Sequence, residues 1–187
     1  MAGKVCGILA LQGAYAAHSE HLRKLGAEPR FVYKPADLDG LDGLILPGGE
    51  STTMLKLAAE LGLWEPLREA AKRIPFWGIC AGSILMAREV ENPAQPCLGV
   101  MDLKVRRNAY GRQVDSFQGA VNVGGVEQPA VFIRAPKFVS WGPGVRIAGT
   151  VNGEPSFLEG EHHMVTAFHP ELTTSSWCHE RFLAKAK

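Results

Sequence analysis

Short apolar runs alternate with glycine-containing turns and helix-like segments through the first half of this chain, and that alternation leaves few folds open. Val5 to Leu11 is apolar throughout and ends at Gln12-Gly13. Arg30 to Tyr33 is a second run, Leu44 to Leu46 a third that stops at Pro47-Gly48-Gly49, and Pro75 to Ile79 a fourth. Runs that are apolar at every position, not every second one, suit strands buried on both faces, as in a parallel sheet. Ala14 to Leu25 reads as a helix closed by Gly26. A second helix starts near Thr52, with Ser51 or Thr52 as N-cap, and stops at Gly62. Trp64 to Arg73, with Pro66 in its first turn, and Ser83 to Glu89 are two more. The repeat of strand and helix predicts an α/β fold whose parallel sheet has right-handed crossovers.

The second half changes character. Asp102 to Arg107, Gln113 to Val123, Ala130 to Ile133, Val145 to Val151 and Phe157 to Glu159 read as short strands between turns, with Asn92 to Pro96 and Val123 to Gln128 as loops. Val165 to Phe168 is a last apolar strand before His169-Pro170-Glu171, and Thr174 to Ala186 a closing helix. No repeat or linker interrupts the 187 residues, so one domain over 1–187 is expected, the short strands forming an antiparallel extension of a single sheet.

Composition narrows the function. Lys and Arg total 20 against 19 Asp and Glu, a net charge of +1, which gives no bulk attraction to nucleic acid. No apolar run approaches the roughly 20 residues that span a membrane. The N-terminal MAGKVCGILALQGAY is too polar after Leu11, and too short before it, for a signal peptide, so a cytoplasmic protein is expected. Cys6, Cys80, Cys97 and Cys178 form no C-x-x-C pair, which excludes a zinc ribbon or thioredoxin-like motif.

Gly78-Ile79-Cys80-Ala81-Gly82 lies between an apolar strand and a helix, the setting in which a G-x-nucleophile-x-G turn has meaning. Such a turn forces a strained backbone and a close strand–helix approach, and raises the central side chain above the sheet at a helix start, where a thiolate is favoured. Cys80 is therefore the candidate nucleophile, and Cys6, Cys97 and Cys178 read as structural. A thiolate needs a base and the base an orienting partner. His169 follows a strand at its carboxyl end, where parallel sheets build their sites. Glu171, two residues on in an extended chain, points to the same side and can fix its tautomer. His18 and His21 share a helix face and read as solvated, with no third group to complete a metal site; His162 and His163 point to opposite faces. No metal is expected. Leu46-Pro47-Gly48-Gly49-Glu50-Ser51 is a strand–glycine–helix transition able to aim N–H groups at an oxyanion, with the N–H of Gly49 and of Ala81 as donors. Arg107 and Arg134, at strand ends, are able to clamp a carboxylate.

Taken together, LQGAYAAH (11–18), LILPGGESTTM (44–54), GICAG (78–82), RNAYGRQVDSF (107–117), FIRAP (132–136) and FHPEL (168–172) resemble the glutaminase subunit of pyridoxal 5′-phosphate synthase, a family of class I, triad-type glutamine amidotransferases. The resemblance runs in order from about residue 5 to residue 172. It implies a flavodoxin-like three-layer sandwich: a mostly parallel central sheet with an antiparallel extension and helices on both faces. It implies a triad of Cys80, His169 and Glu171, and glutamine contacts from Gly49, Glu50, Ser51, Arg107, Ile133 and Arg134. Arg106 stands where some relatives carry an acidic residue, which would alter pocket electrostatics, and the loop over Gly124 to Ala130 is short.

The activity so implied is hydrolysis of L-glutamine through a cysteine thioester, a hydrolase working within a lyase complex, with no cofactor of its own. Its ammonia would pass to a (β/α)₈-barrel synthase subunit in a large hetero-oligomer that makes pyridoxal 5′-phosphate, a vitamin B6. The glutaminase would be weak until docked, and Gln12 with the first helix would lie near the docking face. Two alternatives stand beside this reading: the glutaminase of another amidotransferase such as imidazole glycerol phosphate synthase, and a non-catalytic redox sensor in which Cys80 is oxidised.

Overall fold

A computed structural model describes residues 3–108 and 117–186. Its first half is a run of strand–helix units: β1 (Val5–Leu9), α1 (His18–Lys24), β2 (Glu28–Val32), β3 (Gly43–Leu46), α2 (Ser51–Glu60), α3 (Trp64–Ala71), β4 (Phe76–Ile79) and α4 (Ala81–Met86). Eight short strands follow: β5 (Glu89–Glu91), β6 (Leu103–Arg106), β7 (Phe117–Val123), β8 (Val126–Phe132), β9 (Lys137–Trp141), β10 (Arg146–Val151), β11 (Glu154–Glu159) and β12 (Met164–Thr166), closed by α5 (Trp177–Lys185).

One nine-stranded sheet has the order β2-β1-β3-β4-β12-β11-β10-β7-β8. From β2 to β12 every pairing is parallel, in the order of a flavodoxin-like sheet. From β12 to β8 every pairing is antiparallel. Helices cover both faces, as expected. Trp77, fully buried, packs its ring against His18 of α1 and against His179 and Phe182 of α5. On the opposite face Gly78 and Leu46 meet α4 at Gly82. The core is continuous across both halves, from Ile8, Ile45 and Trp77 to Phe157 and Phe168.

The antiparallel half curls back on itself. His169, just past β12, donates its backbone N–H to the Val131 carbonyl of β8 (2.7 Å), although β8 is the far edge of the sheet. Phe132 and Phe168 pack across that closure with ring centroids 5.6 Å apart. This curl carries Ile133 and Arg134, which follow β8, to the carboxyl ends of β3, β4 and β12.

Several local expectations are corrected. Residues 15–17 form a 3-10 turn before α1, not its first turn. Glu50, not Ser51 or Thr52, caps α2: its carboxylate accepts the backbone N–H groups of Thr52 (3.2 Å) and Thr53 (2.7 Å). Val123 to Gln128 is no loop. Gly124 and Gly125, both at positive φ, make a tight β7–β8 hairpin, and Val126 to Gln128 is strand despite its polarity because this edge is exposed. The predicted strand from Gln113 lies partly outside the described residues; within them β7 begins at Phe117. The short strands do not all extend one sheet. β5, β6 and β9, two of which no apolar run marked, form a separate three-stranded sheet that ends beside Arg107.

The strand-to-helix reversal at β4–α4 leaves no room for a side chain. A Cβ on Gly82 would collide with the Leu46 carbonyl, a backbone atom that has no freedom to move aside. Gly82→Ala is therefore expected to cost about 3 kcal/mol in urea denaturation; an unchanged midpoint would mean that α4 is free to shift off β3.

Candidate active site

Cys80 sits between β4 and α4 at φ 48° and ψ −104°, a conformation that costs a non-glycine residue about 1–3 kcal/mol. Hydrogen bonds hold it there. Its N–H donates to the Thr166 carbonyl of β12 (2.8 Å), and its own carbonyl accepts the Ser83 hydroxyl (2.6 Å) and the Ser83 N–H (3.1 Å). Thr166 is itself fixed, its hydroxyl accepting the Trp77 indole N–H at 3.2 Å. The sulfur lies 3.8 Å from the Ile133 carbonyl oxygen. The other three cysteines differ. Cys6 and Cys178 are fully buried, and burial raises their thiols far above the ordinary range. Cys97 is half-buried and raised for the same reason.

His169 faces Cys80 from the end of β12. Its Nδ1–H donates to Glu171 Oε1 at 2.8 Å, which leaves Nε2 for the sulfur. Burial pulls the imidazole pKa down, but the hydrogen bonds with the Cys80 sulfur and the Glu171 carboxylate outweigh it and raise it to about 10. Burial acts on Glu171 in the opposite sense, pushing its carboxyl up, and the His169 hydrogen bond together with the neighbouring His18 brings it below the ordinary value. The predicted pairing of His169 with Glu171 exists, but not through an extended chain. Pro170 opens a 3-10 turn over Pro170–Leu172, and this turn swings the carboxylate back under the ring. Gly48 packs against the other side of the imidazole, where any Cβ would strike the ring.

These groups open onto a cavity of about 320 Å³ lined by Gly48, Gly49, Glu50, Ser51, Cys80, Ala81, Arg107, Ile133, Arg134 and His169. Each residue picked out for an oxyanion or substrate contact therefore borders one space; Glu171 stands behind it. Glu50 is engaged twice. Partial burial would raise its carboxyl, yet the Thr52 and Thr53 hydrogen bonds hold it at about 2. Its oxygen also lies 3.5 Å from Arg107 Nη2, and its N–H donates to Gln12 Oε1 (2.7 Å), which pins the glycine loop. Ser51 is buried and donates its hydroxyl to Gln95 Oε1 (3.0 Å). Arg134 holds a left-handed backbone at φ 43°. Arg106 bonds Glu91 at 2.6 Å and does not line the cavity. Residues 109–116 of the RNAYGRQVDSF segment lie outside the described residues.

One part of the site has no counterpart in the sequence reading. His18 and His21, expected on a solvated helix face, are buried beneath Glu171 together with His179. His18 Nδ1 lies 2.9 Å from His179 Nε2. His21 Nε2–H donates to the Glu171 carbonyl (3.2 Å), and its Nδ1 is 2.8 Å from the Ser176 hydroxyl. The i, i+3 spacing identified one face correctly, but α5, distant in sequence, covers it. Among the described residues no group of three or more His, Cys, Asp or Glu is placed to hold a metal.

Burial lowers the imidazole of His18 to about 4, and with His162 nearby lowers His163 to about 4; it lowers His179 further. Unfolded, each would take a proton below about 6.5. The stability they confer is therefore complete above that pH and lost as pH falls toward 4. Thermal unfolding should show the melting temperature declining between pH 6.5 and 4, ahead of the carboxylate range; a flat profile over that window would contradict the neutral, buried histidines.

The chain resembles proteins of known name along nearly its whole length. A pyridoxal 5′-phosphate synthase subunit PdxT of Deinococcus radiodurans is 49% identical over 188 residues, covering 96% of each chain. One of Fervidobacterium nodosum is 46% identical over 182 residues, covering 96% of this chain and 95% of its own. A crystal structure of a glutamine amidotransferase superposes with a TM-score of 0.90 at 42% identity, covering 96% of this chain and 97% of that one. The chemistry so named is amide transfer from glutamine, and the lyase expectation is dropped for this chain. With its residues 8–186 matching the family model, the chain belongs to the SNO glutamine amidotransferase family.

Proposed function

We propose that this chain is the glutaminase subunit of a pyridoxal 5′-phosphate synthase, with Cys80 as nucleophile, His169 as general base and acid, and Glu171 as its orienting carboxylate. The observation that carries the reading is the chain of contacts Cys80–His169–Glu171, whose first two members line a cavity and whose third stands behind it, in a chain whose relatives bear that name.

The steps follow from the parts. The Cys80 proton passes to His169 Nε2, and the sulfur forms a bond to the carboxamide carbon of L-glutamine. The oxyanion is held by the N–H groups of Gly49 and Ala81. His169 gives its proton to the departing nitrogen, the C–N bond breaks, and ammonia leaves a glutamyl thioester. Water then attacks, its proton going to His169; the C–S bond breaks, the thiol is reprotonated and glutamate leaves. Arg107, paired with Glu50, suits the substrate carboxylate, and Arg134, Ile133 and Ser51 complete the wall. Because Glu50 already caps α2 and meets Arg107, it offers the substrate ammonium only part of its charge. Side chains and water make and break every bond, so this half-reaction calls for no metal or organic cofactor.

Ammonia released to water at neutral pH protonates and is no longer a nucleophile. A separate glutaminase subunit therefore implies a partner that receives it directly. The relatives' name supports the synthase subunit as that partner, in preference to an imidazole glycerol phosphate synthase; the form proposed for it is a (β/α)₈ barrel within a large hetero-oligomer. Free thiols at all four cysteines suit the cytoplasm.

Glutamate release should appear or rise when the synthase subunit is added, vanish in Cys80→Ala, and fall about 10²- to 10⁴-fold in His169→Ala. Full activity in Cys80→Ala would remove the thioester route; silence of the wild type with the synthase present would remove the assignment. Because Gln12 pins the loop that carries Gly49 and Glu50, Gln12→Ala should weaken association with the synthase in calorimetry, and an unchanged affinity would place the docking face elsewhere.

A further inference from the structure

Glu171 uses only one of its oxygens toward His169. The other, Oε2, is buried and has no hydrogen-bond partner among the described residues. Facing it at 3.9 Å is His18 Nε2, also buried and also without a hydrogen-bond partner. At that distance the contact is a charge–dipole attraction, not a hydrogen bond, but it lies in a water-excluded layer where such attractions are strong. The Trp77 ring closes the layer edge-on to His18 and His179, and the His21 ring stacks on His179 with centroids 4.4 Å apart.

Proton placement here has two solutions. If His18 Nδ1–H donated to His179, a bare lone pair on His18 Nε2 would face the Glu171 anion, and an N–H on His179 Nδ1 would be buried with no acceptor. If His179 Nε2–H donates to His18 Nδ1, His18 presents an N–H to Glu171 Oε2. The one group then left over is a lone pair on His179 Nδ1. The second solution removes a repulsion and an orphaned donor, the less tolerated kind of unsatisfied group. Burial keeps both rings neutral at pH 7, so each has a single N–H to place.

We infer that His18 is a positioning residue for the reaction: its Nε2–H holds the second oxygen of Glu171, so that the first stays aimed at His169. The inference rests on the glutaminase reading for its rate effect, but not for its geometry. The groups that surround this carboxylate are His169 on its own turn, His18 and His21 from α1, and His179 and Cys178 from α5. Beyond His169 stand Cys80 and, across the cavity, Glu50, Arg107 and Arg134. Loosening Glu171 makes His169 a weaker base, and the Cys80 thiolate then forms at higher pH.

Two measurements test this. In the wild-type chain labelled with ¹⁵N at histidine, NMR should find His18 as the Nε2–H tautomer; the Nδ1–H tautomer would overturn the inference without any variant being made. Then His18→Leu, which removes the donor, is compared with His18→Gln, whose amide keeps an N–H near Nε2. With the synthase subunit bound, His18→Leu should lower kcat for glutamate release roughly 10- to 100-fold, the usual cost of losing an outer partner of a functional imidazole, with KM within about twofold. The pH midpoint of Cys80 alkylation by iodoacetamide should rise by about half a unit or more. His18→Gln should recover most of both. A His18→Leu variant with wild-type kcat and midpoint would overturn the inference. So would equal losses in His18→Leu and His18→Gln with an unmoved midpoint, since a merely structural role predicts that pattern. A wild-type complex that released no glutamate would strike the glutaminase reading instead, and the tautomer and the alkylation midpoint would still decide the role of His18.

Discussion

Everything in the site depends on how abruptly β4 becomes α4. The strand is central and fully buried, with β3 on one side and β12 on the other, so its carboxyl end has one way out: upward, into a helix that folds back over the sheet. Glycine at 78 and 82 permits the contact, and the Cys80 backbone absorbs the strain. A strained residue persists only where its surroundings over-determine it. Here the Thr166 carbonyl from β12 and the Ser83 hydroxyl from α4 grip it from both ends. The sulfur is thereby held at one point above the sheet while the helix and strands around it pack as an ordinary core.

The second constraint is electrostatic. A carboxylate as deeply buried as Glu171 persists only with partners for its charge. His169 satisfies one oxygen through a hydrogen bond, and the imidazoles of α1 and α5 surround the rest. The layer beneath the site is therefore polar, within a face of the sheet otherwise filled by Trp77 and Phe182. It joins α1, the 3-10 turn at Pro170 and α5, three segments far apart in the chain. The curled antiparallel half joins a fourth, bringing Ile133 and Arg134 to the cavity from β8.

What was legible in the chain was whatever local sequence enforces. Val5 to Leu9, Gly43 to Leu46 and Phe76 to Ile79 are strands because runs apolar at every position must be buried on both faces. The elbow could be read because its glycines serve one backbone geometry. The separation of β5, β6 and β9 into their own sheet could not. Those strands are short and partly polar, and their pairing rests on partners 15 to 38 residues away. Nor could the cap of α2: Ser51 and Thr52 are good capping residues, but Arg107, brought close by the small sheet, lies beside Glu50.

By itself, then, the sequence determined the parallel sheet, its order of strands and helices, the strained turn at Cys80 and the His169–Glu171 pair, because each is a matter of neighbours in the chain. Only the tertiary structure decided that His18 and His21 are buried and not solvated, that Glu171 meets His169 through a tight turn, and that Arg107, Ile133 and Arg134 share a cavity with Cys80. A helix face has no intrinsic inside. It acquires one when α5 packs over it, and His18 then changes from a hydrated surface group into a neutral partner of a buried charge.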